Sequence, residues 1–297
     1  MTLGAAPGPA PGTTSGEQPR FGLGYRRAWR GALVAGRTSV EVLEVIPDHY
    51  FANPEAILPL AERYPIVLHD VGMSIGTPGI DRERLARIVE ISRLARAVRF
   101  TDHLAVTRTP SGRMFGHLAP VPWRPEAVRT CVENLRILVG ELQIPVAVEN
   151  IFATFWPGTT GTGTTGPGGG GPFELLHEVV EQADVGLLLD VTNVLLEARN
   201  LREPPEDRLA RLPLHRAVAV HLAGGLRGPR GYLDTHSRPV DSASLRLLAS
   251  LRGRAPIEDV IVERDSHLPT IEDMNAEVIA ARAAWGEAPA PEDRTWM

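Results

Sequence analysis

A single (β/α)8 barrel of the TIM type, an α/β fold, is what this 297-residue sequence predicts, and three observations predict it. Eight short aliphatic or β-branched runs recur along the chain. Stretches of helical period lie between them, and runs such as VGLLLD are apolar almost throughout, as strands buried on both faces of a parallel sheet must be. Roughly 270 residues for eight such units is the usual size of that barrel. A doubly wound open sheet would want a glycine-rich dinucleotide turn after its first strand, and FGLGYRRAW lacks the third glycine.

Taken in order, the start MTLGAAPGPAPGTTSGEQPR is rich in Pro, Gly, Ala and Thr and cannot bury enough apolar surface to offset its ordering entropy. Residues 1–20 therefore read as a disordered tail and 21–290 as one catalytic domain. Strands are expected at 21–26, 39–46, 65–70, 98–105, 144–150, 185–192, 217–224 and 259–265. Helices are expected at Pro54–Tyr64, Arg82–Ala97, Pro125–Leu142, Phe173–Ala183, Ser242–Leu251 and Ile271–Trp285, with a short one near Glu206–Arg211. Pro125 suits a first helical turn, where its missing N–H would be unpaired anyway. The tract PGTTGTGTTGPGGGGP (157–172) has the composition of a flexible loop, and its place after the fifth strand is that of an active-site lid or rim.

Composition narrows the chemistry. There is no lysine, so all 31 basic residues are arginine, and there is one cysteine, Cys131, beside nine histidines. A Schiff-base enzyme, a P-loop lysine and a kinase-type lysine are excluded, as are an intramolecular disulfide, an all-cysteine zinc site and a protein-held iron–sulfur cluster. A formal charge of −5 gives no general basic field for nucleic acid. No apolar run is long enough to span a membrane and the start lacks the pattern of a signal peptide, so the expectation is a cytoplasmic protein without nucleic-acid or membrane partners.

The polar residues fall in a pattern. Expected strands end in Glu44, His69, His103, Glu149, Asp190, His221 and Glu263, and Asp234 and His236 follow in the loop after the seventh strand. In a barrel the C-terminal strand ends converge on one mouth. So many carboxylates and imidazoles share a buried mouth only if cations or protons compensate them. The donors are all oxygen and nitrogen, which suits Fe, Mn, Zn or Co, and four carboxylates (Glu149, Asp190, Asp234, Glu263) match a cluster of two or three divalent ions.

The words LEVIPDHYF (43–51), LHDVGMSIG (68–76), DHLAV (102–106), LAPVPWRPEAV (118–128), VEN (148–150), GLLLDVTNV (186–194), VHLAGG (220–225), DTHSRPV (234–240) and VERD (262–265) are distinctive. With them the chain, from about Phe21 to Arg282, resembles the DUF692 family of MbnB-like multinuclear non-haem iron-dependent oxidative enzymes, whose methanobactin-biosynthesis member modifies peptide cysteines. The resemblance implies a TIM barrel holding two or three irons. It also implies an O2-dependent oxidation of a residue (cysteine, an acidic side chain or another) in a ribosomally synthesised precursor peptide, with a partner protein that recognises the leader. Carried over by position, the metal shell is His69, His103, Glu149, Asp190, Asn193, His221, Asp234, His236 and Glu263. Asp70 stands where the family has glycine and adds a carboxylate beside the cluster, Thr192 replaces a common Asn, and the tract after Asn150 replaces a Ser- and Arg-bearing substrate loop.

Around the shell, Asp70, His49 and His267 are the candidate catalytic groups, and Arg26, Arg108 and Arg238 the candidate partners of peptide carboxylates. His117, His177 and His215 read as structural, and Cys131, among apolar helix neighbours, as an inert buried thiol. Two other readings remain open. One is a divalent-metal hydrolase or isomerase of the endonuclease IV and xylose isomerase type, in which a histidine occupies the place of Asn193. The other is a metal-free peptide-binding scaffold.

Overall fold

The computed structural model describes residues 18–153 and 171–286. The expected tail up to residue 17, positions 157–170 of the Gly/Thr tract and the last residues of the expected domain lie outside that range. Twelve strands occur among the described residues: β1 (Arg20–Gly24), β2 (Val42–Val45), β3 (Ile66–Asp70), β4 (Arg99–His103), β5 (Ala105–Arg108), β6 (Met114–Pro120), β7 (Val146–Glu149), β8 (Gly186–Asp190), β9 (Ala217–Leu222), β10 (Gly224–Gly228), β11 (Gly231–Arg238) and β12 (Asp259–Val262). Eight of them close a parallel barrel in the order β1-β2-β3-β4-β7-β8-β9-β12. Each coincides with an expected strand. No described helix is long and apolar enough to cross a membrane.

Side chains on a strand alternate between faces, so residues two apart share one. That period stacks the barrel interior in layers. Arg20, Arg99 and Asp259 form the floor: Arg20 Nη2 lies 2.7 Å and Arg99 Nε 3.4 Å from the fully buried Asp259 carboxylate. Two residues further along each strand, Val42, Val67 and Ile261 pack together, as do Ala147, Leu188 and Ala219. Gly22 belongs to the same layer; a Cβ there would stand 1.9 Å from the Val42 carbonyl oxygen. Two residues on again come Glu44, His69, His103, Glu149, Asp190, His221 and Glu263. The apolar middle layer therefore holds a polar top layer at the mouth.

The helices pack outside, and most follow the expected spans: Arg82–Ala95, Pro125–Leu142, Pro172–Ala183, Ser242–Ser250 and Ile271–Gly286. Five points differ. The strand β1 starts at Arg20, because its guanidinium is tied to Asp259. The expected helix 54–64 is a 3-10 turn, Pro54–Ile57, followed by a single α-turn, Leu58–Ala61. Pro172 opens a helix rather than closing a loop. A helix at Val191–Leu201 follows β8 without a break in hydropathy; its start is set by Asp190, which caps it by accepting the Asn193 N–H at 2.8 Å. Finally, the segments after β4 and β9 are not loops but antiparallel hairpins, β5–β6 and β10–β11. Asp234 and His236 thus sit on strand β11, and His117 on β6.

Candidate metal centre

Register alone brings the polar top layer together: His103 lies beside Glu149 on β4 and β7, and Asp190 beside His221 on β8 and β9. Glu149 is central. Its Oε2 is 3.3 Å from His103 Nε2 and 3.6 Å from His69 Nε2, and its Oε1 is 3.3 Å from His221 Nδ1. Glu263 Oε2 joins His221 Nδ1 at 3.1 Å to His236 Nδ1 at 3.3 Å. His236 Nε2 in turn faces Asp234 Oδ1 at 2.8 Å and Asp190 Oδ2 at 3.6 Å. Four sets of three donors have their ligand atoms within 4.8 Å of one another: Glu44/His69/His221, His69/His103/Glu149, Glu149/Asp190/His221 and Asp190/His236/Glu263.

These approaches are close without being aligned hydrogen bonds. Glu149 Oε2, Asp190 Oδ2, Asn193 Oδ1, His221 Nδ1, Asp234 Oδ1 and both His236 ring nitrogens are buried and have no hydrogen-bond partner. Such atoms are normally paired, and a buried one left alone costs about 1–3 kcal/mol, more for a charged group. A convergent set of orphaned lone pairs is what bound cations would satisfy.

On the side away from the cluster, several rings meet an orienting group. His69 Nδ1 shares a hydrogen bond of 2.9 Å with Thr101 Oγ1, and His221 Nε2 one of 2.8 Å with Glu44 Oε2. His103 Nδ1 lies 3.7 Å from Asp102 Oδ1, whereas His236 Nδ1, which faces Glu263 within the cluster, also lies 3.3 Å from Asp265 Oδ2. A partner at one ring nitrogen fixes which nitrogen is free to coordinate. His236 has a φ of 44°, in the left-handed region; its carbonyl is held there by the Asp265 N–H at 2.9 Å.

The electrostatics match. Burial alone would lower His103, but Glu149 and Asp102 outweigh it and push it up to about 9. Burial likewise opposes His221 and His236, yet the surrounding carboxylates hold both well above the usual imidazole value. Burial lowers His69. Burial raises Asp190 to about 6, whereas the imidazoles overcome burial at Glu149, which falls to about 2, and at Glu263, held well below the usual carboxylate range. Without cations, protons on the imidazoles balance the carboxylates.

All nine expected shell residues lie at this mouth, Asn193 through its orphaned Oδ1 and a 3.3 Å hydrogen bond from its amide to the Asn150 carbonyl. Glu44 stands closer to the cluster than the shell carried over by resemblance would place it, as the partner of His221. The surrounding candidates scatter. Asp70 is fully buried, and both its oxygens accept from Arg84, which also holds Asp48. Arg108 is 6% exposed and donates to the Gly79 carbonyl at 2.6 Å. His49, His267 and Arg238 are exposed, and their side chains make no hydrogen bond among the described residues. Arg26 is paired with Asp265, which puts it one residue from His236. Sequence reasoning missed the supporting roles of Thr101, Asp102 and Asp265. Strand alternation was a usable signal for Thr101, two residues before His103 on the inward face.

A family model of RiPP precursor modification enzymes MbnB/TglH/ChrH, acting on ribosomally synthesised and post-translationally modified peptides, matches residues 20–285. The chain belongs to this family. Its relatives include the UPF0276 protein of Caulobacter vibrioides, 30% identical over 273 residues that cover 89% of this chain and 94% of that protein. The UPF0276 protein of Streptomyces avermitilis is 34% identical over 276 residues, 88% of this chain and 54% of that longer protein. Among solved structures, a xylose isomerase domain protein from Planctomyces limnophilus superposes with a TM-score of 0.52 at 14% identity, covering 90% of this chain and 96% of that one. A xylose isomerase-like TIM barrel protein from Mycobacterium smegmatis, in complex with magnesium, gives 0.51 at 16% identity, covering 86% and 89%. At these identities the likeness shows the barrel fold alone.

Proposed function

We propose that this protein is a multinuclear non-haem iron, O2-dependent oxidase that modifies a side chain of a ribosomally synthesised precursor peptide, in the cytoplasm and together with a partner protein that binds the leader. The observation that carries the reading is the buried set of orphaned carboxylate, amide and imidazole donors at the mouth of a barrel from this enzyme family. His69, His103, Glu149, Asp190, Asn193, His221, Asp234, His236 and Glu263 would hold two or three ions. When bound, iron supplies redox equivalents for reaction with O2 and a Lewis-acid position for a substrate heteroatom.

The chain's own residues do the rest. Thr101 and Glu44 hold the rings of His69 and His221, so that Nε2 of the first and Nδ1 of the second would be left to coordinate. Asp190 accepts its own helix's Asn193 N–H through Oδ1, which leaves Oδ2 for the cluster. The apolar layer below closes the site to water from the barrel side. Arg26, paired with Asp265 at the edge of the cluster, would be the group to meet a peptide carboxylate.

Elemental analysis of aerobically purified protein, with O2 uptake measured in the presence of any short precursor peptide whose gene is found beside its own, tests the proposal. Two to three irons per chain and peptide-dependent O2 uptake support it. Zinc or manganese without O2 uptake would favour the hydrolase or isomerase reading, and absence of stoichiometric metal the scaffold.

A further inference from the structure

Barrel register places His69, His103, Glu149, Asp190 and His221, but it does not place Asp234 and His236. These two stand on β11, which pairs with β10 in a two-stranded sheet of its own. In that ladder Leu226, Arg227 and Gly228 face Leu233, Tyr232 and Gly231, and Gly224 faces Arg238. Residues 234–237 therefore stand opposite Gly225 alone. Such a bulge bends its strand and re-aims the side chains on it, and this one carries both donors. The ladder fixes only the ends of the bulge. A hairpin left free to move would oppose metal binding by the entropy of every residue that had to be ordered.

The helix Val191–Leu201 grips both flanks. Thr192, Leu196 and Asn200 follow at four-residue steps and so share one face of it. Thr192 Oγ1 accepts the Ala223 N–H at 2.8 Å and donates to the Ala223 carbonyl at 3.1 Å, beside the Gly224–Arg238 pair that closes the bulge. Asn200 does the same at the opposite flank: its Oδ1 accepts the Tyr232 N–H at 2.7 Å and its amide donates to the Tyr232 carbonyl at 2.9 Å. Between them Leu196 meets Gly225 so closely that a Cβ on the glycine would stand 2.4 Å from Leu196 Cδ1. Either polar contact alone would be an ordinary tie between helix and hairpin. At the two flanks of one bulge, they set where its side chains point. The same helix is capped by Asp190 and carries Asn193, so a single element both supplies two donors and holds the segment that supplies two more. Asp190, His236 and Glu263 form one of the donor sets, and Asp234 Oδ1 lies 2.8 Å from His236 Nε2.

We infer that Thr192 and Asn200 are positioning residues, which dock β10–β11 on this helix and thereby hold Asp234 and His236 in place for one ion of the cluster. The inference rests on the metal-binding part of the proposed function. It divides the centre in two: ions held by the barrel strands do not need the docked hairpin, and the ion held through His236 does.

The test is anaerobic equilibrium dialysis of the full chain against Fe(II), read as ions bound per chain, beside hydrogen exchange of the metal-free protein. Thr192→Val and Asn200→Leu keep the approximate size of the side chains and remove their bonds to the hairpin backbone. Each is expected to weaken binding of one ion about 10–100-fold and to leave the others at parental affinity, with Thr192→Ser close to the parent. In metal-free Asn200→Leu the Tyr232 amide should exchange faster, while amides of the barrel strands keep the parental rate. His236→Ala should lose the same ion, and adding Asn200→Leu to it should cost no further metal, because the contact acts through the hairpin donors. Parental affinity for every ion in both single variants would overturn the inference. So would loss of all ions together, an equal further loss in the His236→Ala background, or a Thr192→Ser protein as impaired as Thr192→Val. A parent that binds no Fe(II) overturns the metal reading as well, whereas a loaded parent with indifferent variants overturns the positioning role alone.

Discussion

Replacing Glu149 with glutamine removes one charge and almost no volume from the centre of the cluster. Glu149 belongs to two of the four donor sets and stands 3.3, 3.3 and 3.6 Å from the ring nitrogens of His103, His221 and His69. Removing one partner from a buried, paired charge cluster costs about 3–5 kcal/mol. Losing a group that only orients a ligand weakens metal binding about 10–100-fold, so losing a carboxylate shared by two donor sets is expected to weaken it by about 100-fold or more. The assay is metal content by elemental analysis after dialysis against a series of buffered free-metal concentrations, with the exposed helix residue Glu90→Gln as control. The variant is expected to lose at least one ion per chain at concentrations where the parent and the control stay loaded. A Glu149→Gln protein that loads like the parent across the series, with its far-UV spectrum unchanged, would refute the placement of the ions around Glu149.

Three further outcomes follow from the geometry. Thr101→Val keeps the side-chain shape but removes the partner of His69 Nδ1, and it should weaken metal binding by about 10–100-fold in the same dialysis series. In the metal-free protein, His103 is raised to about 9 by Glu149 and Asp102 against the opposing effect of burial. The folded state therefore holds that proton more tightly than the unfolded chain, and the stability is complete below about pH 6.5 and lost as pH rises through about 9; the amount is ~3 kcal/mol. Melting temperatures of metal-free protein should fall between pH 6 and pH 10, and metal affinity should rise over the same range as protons and cations compete for the rings. Cys131 is fully buried and its thiol is pushed up to about 12 by burial, so the native protein should resist iodoacetamide and react only once unfolded.

How much of this was legible in the sequence depends on where hydropathy and chemistry coincide. The barrel strands were readable because burial on both faces writes nearly continuous apolar runs, as in GLLLD, and the polar mouth was readable where His69, His103, Glu149, Asp190, His221 and Glu263 end such runs. The helix at Val191–Leu201 was hidden by the same feature: apolar strand and apolar helix run together, and only the Asp190 cap marks the boundary. The hairpins were hidden for the opposite reason, since β6 buries nothing and so shows no alternation. Asp70 and Arg108 illustrate a third limit. Their positions at strand ends suggested chemistry, but long-range pairing decides their roles: Arg84, fourteen residues on, takes both oxygens of Asp70, and the Gly79 carbonyl takes Arg108. Glu44 gained a role the same way, through His221, 177 residues distant.

The central claim is that the orphaned donors at the barrel mouth hold more than one iron in mutual contact. Mössbauer spectroscopy of protein reconstituted anaerobically with 57Fe(II), quantified per chain and repeated after exposure to O2, tests it most directly. About two to three irons per chain that become magnetically coupled on oxidation are expected, since the donor sets share Glu149 and Asp190. A single uncoupled iron, or none retained after desalting, would contradict it.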